Sequence, residues 1–177
     1  MIMDEKTVTG KYIYKGKIIN LRLDKVLLQN GKQTDREIVE HPGSVAILPV
    51  IEEDKFLLIQ QYRKSVEGVL IEIPAGRIEK GEELDECANR ELIEETGYET
   101  DGFTKLASIY PAPGYCSEVI HLFVARNLKK SKSNPEDDEF IDIVIISEEE
   151  ALNKIIKGEI QDSKTIIGIL LYLRYFR

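Results

Sequence analysis

An α+β domain preceded by a small antiparallel sheet is the fold this sequence predicts, and three observations predict it. Strand-like runs stand on both sides of one amphipathic stretch, in which Leu84, Ala88 and Leu92 recur every four residues as the buried stripe of a helix. Two further helical stretches close the chain, so helices must pack on a sheet whose strands are scattered along the sequence. Before residue 40, Asn30-Gly31 follows the run Val26-Leu27-Leu28 and marks a hairpin, since both turn residues tolerate positive φ.

Taken in order, residues 7–40 read as the small sheet, with Leu21 and Leu23 alternating with polar neighbours. His41-Pro42-Gly43 is a boundary, dividing an accessory sheet over 1–40 from a domain over 41–177. Val45–Ile51 is nearly continuous in apolar residues and predicts a buried strand. A polar turn over 52–55 leads to strands at Phe56–Tyr62 and Val69–Ile73, the latter stopped by Pro74. The central helix spans 82–96 and ends at Gly97, where only glycine takes the left-handed conformation without steric cost. Phe103–Ile109 and Val119–Ala125 are strands flanking a loop over 110–118. The charged stretch 129–139 contains Asn134-Pro135 and predicts a mobile loop, followed by a strand over Phe140–Ile146. Ser147 caps a helix to about 157, with Glu148, Glu149 and Glu150 in the first turn, where the dipole favours negative charge. Gly158 ends it, and a last helix covers 162–175.

Composition narrows the function. The chain has 177 residues, 42% of them apolar, enough for one real core. A net charge of −8 argues against nucleic acid as a partner, because phosphate backbones demand a basic surface. The N-terminus, Met-Ile-Met-Asp-Glu-Lys-Thr, lacks the apolar core of a signal peptide, and no apolar run approaches the roughly 18 residues that span a membrane. Cys87, Cys116, His41 and His121 show no metal-ligand spacing; the cysteines read as unreactive and the histidines as structural. The expectation is a soluble, reduced, cytoplasmic protein.

The carboxylates of the central helix require an explanation. Glu91 and Glu95 are four apart and Glu94 is three from Glu91, so all crowd one side of the helix. Like charges at this spacing cost roughly 0.2–0.5 kcal/mol per pair. Arg90 can pair with Glu94, but one arginine does not neutralise the cluster. A hard divalent cation would, since Mg²⁺ prefers carboxylate oxygens. The competing reading is a solvated acidic face, the commoner state of a generic Glu-rich helix.

The full pattern decides between them. Gly76, Glu82, Arg90, Glu91, Glu94, Glu95 and Gly97, with Leu92 at an aliphatic position, resemble the Nudix box at every fixed identity. Only Tyr98 departs, standing where an aliphatic residue is usual. At frequencies of about 5–10% per residue type, a chance match is on the order of 10⁻⁵ or rarer. The resemblance implies the Nudix fold, a mixed sheet sandwiched between helices, and hydrolysis of nucleoside diphosphates linked to another moiety. Further segments narrow it: Arg36–Gly43, Gln61-Tyr62-Arg63-Lys64, Glu72-Ile73-Pro74-Ala75-Gly76, and Pro113 in Pro-Gly-Tyr-x-x-Glu resemble bacterial ADP-ribose pyrophosphatases. The implied reaction is ADP-ribose plus water giving AMP and ribose 5-phosphate. Another nucleoside diphosphate sugar, such as GDP-mannose, is the second reading. A nucleotide sensor without turnover is the third, and the intact carboxylate set argues against it.

Site roles follow from the resemblance. It implies two or more Mg²⁺ or Mn²⁺ ions, with the Ala75 carbonyl, Glu91 and Glu95 as ligands and Glu94 beside them. Glu82 is then a helper, orienting or binding an outer ion. Arg90, inside an acidic cluster, reads as a neutralising residue before a substrate contact. Arg63 is suited to a phosphate by its planar fork, against a solvated surface position. Glu72 is a metal or ribose contact, or simply a polar strand residue. Arg36 and Glu37 are candidates for the adenosine end. Pro113 and Gly114 shape a substrate loop or an ordinary turn, Tyr115 stacks on a base or packs in the core, and Glu118 bonds a ribose hydroxyl. Glu139, at the loop–strand junction, matches the general base of this branch, with Glu136 and Asp138 as alternates. The branch also pairs as a homodimer, often exchanging its N-terminal sheet, which would put Arg36 at the other subunit's site. A sheet of this size hardly supports a core of its own.

Overall fold

The computed structural model describes residues 4–52, 55–131 and 140–177. These form two compact units: residues up to Gly43 together with Tyr110–Val119, and Ser44–Ile109 together with Ile120–Arg177.

In the first unit, β1 (Lys6–Lys15), β2 (Asn20–Leu27) and β3 (Gln33–Glu40) form an antiparallel sheet in that order. The β2–β3 turn closes where expected. Gly31 has φ 77°, and the Leu28 N–H donates to the Lys32 carbonyl at 2.8 Å. Asp24 is buried and accepts from Arg22 Nε at 2.9 Å, while Arg22 Nη1 also donates to Glu40. The loop 110–119 joins this unit through backbone bonds at β3: the Val39 N–H donates to the Tyr115 carbonyl at 2.8 Å, and the Ser117 N–H to the Val39 carbonyl at 2.9 Å. Nothing local in the sequence announces that attachment.

In the second unit, β4 (Ser44–Ile51) is the central strand. β5 (Lys55–Arg63) continues from it, and β6 (Gly68–Glu72) and the short β7 (Ala75–Arg77) follow. After the helix α1 (Leu84–Thr96) come β8 (Tyr98–Glu99), β9 (Phe103–Ile109), β10 (Ile120–Ala125) and β11 (Lys129–Lys130). β12 (Ile141–Ser147), α2 (Glu148–Ile156) and α3 (Ser163–Tyr175) complete the unit. The sheet runs β12-β5-β4-β10-β9, with β6 on β5 and β7 on β4. β4 and β10 are parallel and the other pairs antiparallel, so the sheet is mixed as expected.

The unbroken apolar run of β4 has a simple cause: both faces are covered. Val45 and Ile47 pack with Cys87, Ala88 and Leu92 of α1. Ala46, Leu48 and Val50 pack on the other side with Ile160, Ile169 and Tyr172, in and just before α3. Each fully buried Leu or Ile contributes about 1.5–3 kcal/mol relative to exposure. The cap at Ser147 matches its sequence signal, Oγ accepting from the Glu150 N–H at 3.2 Å; Asp162, expected as the first residue of the last helix, is instead its N-cap, Oδ2 accepting from the Thr165 N–H at 3.0 Å.

Candidate active site

The helix α1 begins at Leu84, two residues later than its sequence pattern suggests, because Glu83 takes the N-cap position and forms a capping box with Glu86. Its far end is set by Gly97, at φ 71° and ψ 23°, whose N–H donates to the Ile93 carbonyl at 2.8 Å. Between these stops the stripe Ala88–Leu92 is pressed onto β4, which fixes the rotation of the helix. Glu91 and Glu95 are thereby drawn inward and are only 9% and 5% exposed.

Two backbone features receive these carboxylates. The Ala75 N–H donates to Glu95 Oε2 at 2.9 Å, so the peptide expected to supply a ligand lies beside the carboxylate it would serve with. At Gly76, a side-chain Cβ would stand 1.9 Å from the Glu91 carboxyl carbon. Glycine leaves the Glu91 carboxylate room for this close approach. Gly76→Ala must therefore expel the Glu91 carboxylate from its seat. Because small misplacements of catalytic groups are costly, kcat/KM should fall about 10²-fold or more, with the circular-dichroism spectrum unchanged. Wild-type kinetics in that variant would show that the close approach is not needed.

Arg90 ties the cluster together. Nη1 donates to Glu91 Oε1 at 2.6 Å and Glu94 Oε2 at 3.0 Å, Nε to Glu82 Oε1 at 2.8 Å, and Nη2 to the Arg77 carbonyl at 3.2 Å. The Arg90 hydrogen bond, aided by the Glu79 N–H, holds the Glu82 carboxyl down at about 2. Burial and the neighbouring Glu82 push the Cys87 thiol up to about 12, so this free cysteine is a packing residue.

Three carboxylates thus share one guanidinium, and Glu95 lies one turn from Glu91. Among the described residues, no three His, Cys, Asp or Glu side chains close on one point. The fit to a hard divalent ion rests on donor chemistry: Glu91, Glu94, Glu95 and the Ala75 peptide offer only oxygens, with negative charge in excess of the cation present.

Arg63 and Glu72 form a second group. Glu72 is 1% exposed and receives Arg63 as a fork, Nε on Oε1 at 2.8 Å and Nη2 on Oε2 at 2.9 Å. Lys164 Nζ also donates to Glu72 Oε2 and lies 3.1 Å from Asp162 Oδ1. Burial raises the Glu72 pKa, but Arg63 and Lys164 outweigh it and leave it below the ordinary value. Lys164 is not legible as a site residue in the sequence: it is one lysine in a helix, and its partner is 92 positions away.

Most of the remaining candidates belong to the first unit or have no described position. Arg36 pairs with Glu5 at 2.6 Å, and Glu37 is exposed on β3. Pro113 and Gly114 lie in a turn in which the Cys116 N–H donates to the Ala112 carbonyl at 2.9 Å, and Tyr115 is exposed rather than in the core. Glu118 Oε1 is 3.7 Å from His41 Nδ1, which accepts from the Gly43 N–H at 3.1 Å. His121 Nδ1 meets Ser108 Oγ at 2.9 Å. Glu139, with Glu136 and Asp138, lies outside the described residues.

Known proteins resemble the chain over almost its whole length. Residues 40–166 match the NUDIX domain model, and residues 5–39 match that of the nucleoside diphosphate sugar hydrolase N-terminal domain. An ADP-ribose pyrophosphatase of Bacillus subtilis (strain 168) is 42% identical over 169 residues, covering 94% of this chain and 91% of that protein. A methanol dehydrogenase activator of Bacillus methanolicus is 42% identical over 170 residues, covering 95% and 92%. The fold is that of a crystal structure described as an ADP compounds hydrolase, with a TM-score of 0.88 at 20% identity over 99% of this chain and 95% of that one.

Proposed function

The chain belongs to the Nudix family, and we propose that it hydrolyses the pyrophosphate bond of ADP-ribose to AMP and ribose 5-phosphate. The observation that carries the chemistry is the seating of Glu91 over Gly76 with Glu95 on the Ala75 N–H. That arrangement turns a costly like-charge cluster into a set of oxygen donors. The choice of ADP-ribose is supported by the whole-length relative that bears that activity in its name.

Glu91, Glu95, Glu94 and the Ala75 carbonyl would hold two or more Mg²⁺ or Mn²⁺ ions. When bound, such ions withdraw charge from the phosphates and acidify a water. The chain's own residues do the rest. Arg90 keeps Glu82, Glu91 and Glu94 in place, Arg63 offers its guanidinium to a phosphate, and Glu139 accepts the proton of the attacking water. Arg36, Glu37, Pro113, Gly114 and Glu118 contact the nucleoside and ribose ends. Cytoplasm is the compartment of this reading, and the two free cysteines support it. No helix among the described residues is long and apolar enough to cross a membrane.

Rates over a panel of nucleoside diphosphate sugars test the substrate. ADP-ribose should exceed GDP-mannose in kcat/KM by at least about tenfold, since a site built to bond one base rejects another strongly. Equal or inverted rates would move the assignment to the second substrate.

Residues 1–40 serve in this reading as an accessory sheet that dimerises the chain, with the sheet exchanged between subunits. All ten residues of β1 are exposed, and Val8, Tyr12, Ile13 and Tyr14 lie among them. An open strand edge carrying apolar side chains is a surface that proteins cover. Light scattering at micromolar concentration should give twice the chain mass of 20.2 kDa. A fully active monomer would contradict it.

A further inference from the structure

The group around Glu72 contains more charge than a single ion pair needs. Glu72 is almost wholly buried and takes both a bidentate arginine and a lysine, and that lysine also pairs with Asp162. Two cations and two anions balance. Lys164 is 9% exposed, so its ammonium is committed to this group. The first turn of α3 is locked against the same strand end: the Ile73 N–H donates to Thr165 Oγ1 at 2.8 Å, and Thr165 in turn bonds Asp162. Ile73 leads through Pro74 to Ala75 and Gly76, so the turn of α3 braces the segment that receives Glu91 and Glu95.

Arg63 faces two ways. Nε and Nη2 engage Glu72, while Nη1, the other edge of the fork, makes no hydrogen bond among the described residues. The charge of Glu95 also acts on Arg63, which places the guanidinium within electrostatic reach of the carboxylate cluster. If Arg63 were the sole partner of Glu72, tilting toward an incoming phosphate would strand a buried carboxylate, a change with a large penalty. With Lys164 also on Oε2, Glu72 keeps a cation while Arg63 turns.

We infer that Lys164 is a positioning residue for Arg63: it shares the charge of buried Glu72 and so leaves the Arg63 guanidinium available to a substrate phosphate. The inference rests on the proposed pyrophosphate chemistry but not on the identity of the sugar. Lys164 touches neither substrate nor ions; it acts through Glu72 and Arg63.

The test uses the full chain. Lys164→Met pins Arg63 to Glu72 and should raise KM for ADP-ribose about tenfold or more, the value of a charged hydrogen bond, with kcat within about threefold of wild type. Lys164→Arg should restore KM. Asp162→Asn keeps an N-cap and commits Lys164 more fully to Glu72, so KM should stay level or fall. A merely structural role would lower Tm in both Lys164→Met and Asp162→Asn and would not separate KM from kcat. A turnover-independent readout is the Arg63 Nε–Hε resonance, assigned by its loss in Arg63→Lys and titrated with inorganic pyrophosphate. It should shift in wild type and need about tenfold more ligand in Lys164→Met. Equal titration in both proteins, or unchanged KM in folded Lys164→Met, overturns the inference. A wild-type chain whose Arg63 responds to pyrophosphate but which leaves ADP-ribose intact would instead overturn the substrate assignment. Should Lys164→Met not fold, Asp162→Asn decides alone: a rise in KM contradicts the proposal.

Discussion

Replacing Glu91 or Glu95 by glutamine lowers kcat by at least about 10³-fold, the equivalent of several kcal/mol of transition-state stabilisation by a bound cation. Folding should be unaffected or slightly favoured. Glutamine has the size of glutamate, so its carboxamide fits the same space at either position, and each change removes one charge from a repelling set. Arg90 retains Glu82 and Glu94 when Glu91 is changed. The Ala75 N–H can still donate to a carboxamide oxygen when Glu95 is changed. The signature is therefore near-complete loss of turnover at unchanged or raised Tm, with weaker Mn²⁺ binding by calorimetry. Near-wild-type activity of both single variants at saturating Mg²⁺ would remove the metal role from these residues.

A second large effect is expected at Glu139. Glutamates already coordinated to an ion are poor bases, because coordination removes their basicity. The proton of the attacking water then needs another acceptor, and a carboxylate outside the ion-binding set can serve. Glu139→Gln should lower kcat by about 10²–10⁴-fold with little change in KM. A loss under threefold, with Glu136→Gln or Asp138→Asn inactive instead, moves the role to that neighbour. Full activity in all three variants would leave the reaction without a loop base.

Much of the Nudix-box region is legible in the sequence because its causes are local. A period of four in Leu84, Ala88 and Leu92 gives the helix and its buried face, and Gly97 gives its end. The hairpin at Asn30-Gly31 and the cap at Ser147 likewise depend on neighbours a few residues away. The pattern names Gly76 but does not say why it is glycine; that needs the Glu91 carboxylate brought onto it from fifteen positions along the chain. Lys164 on Glu72 and the 110–119 loop on Val39 join residues far apart in sequence, and no periodicity or turn signal encodes such pairings. For Arg63 the sequence offers a surface position or a phosphate contact, and the bidentate bond to buried Glu72 adds a partner that neither reading contains.

The bond that is cut tests the account most directly. With Mg²⁺ and ADP-ribose, the wild-type chain should release AMP and ribose 5-phosphate in equal amounts, and excess EDTA should stop both. Release of ADP and free ribose, or AMP formation that persists unchanged in EDTA, would contradict it.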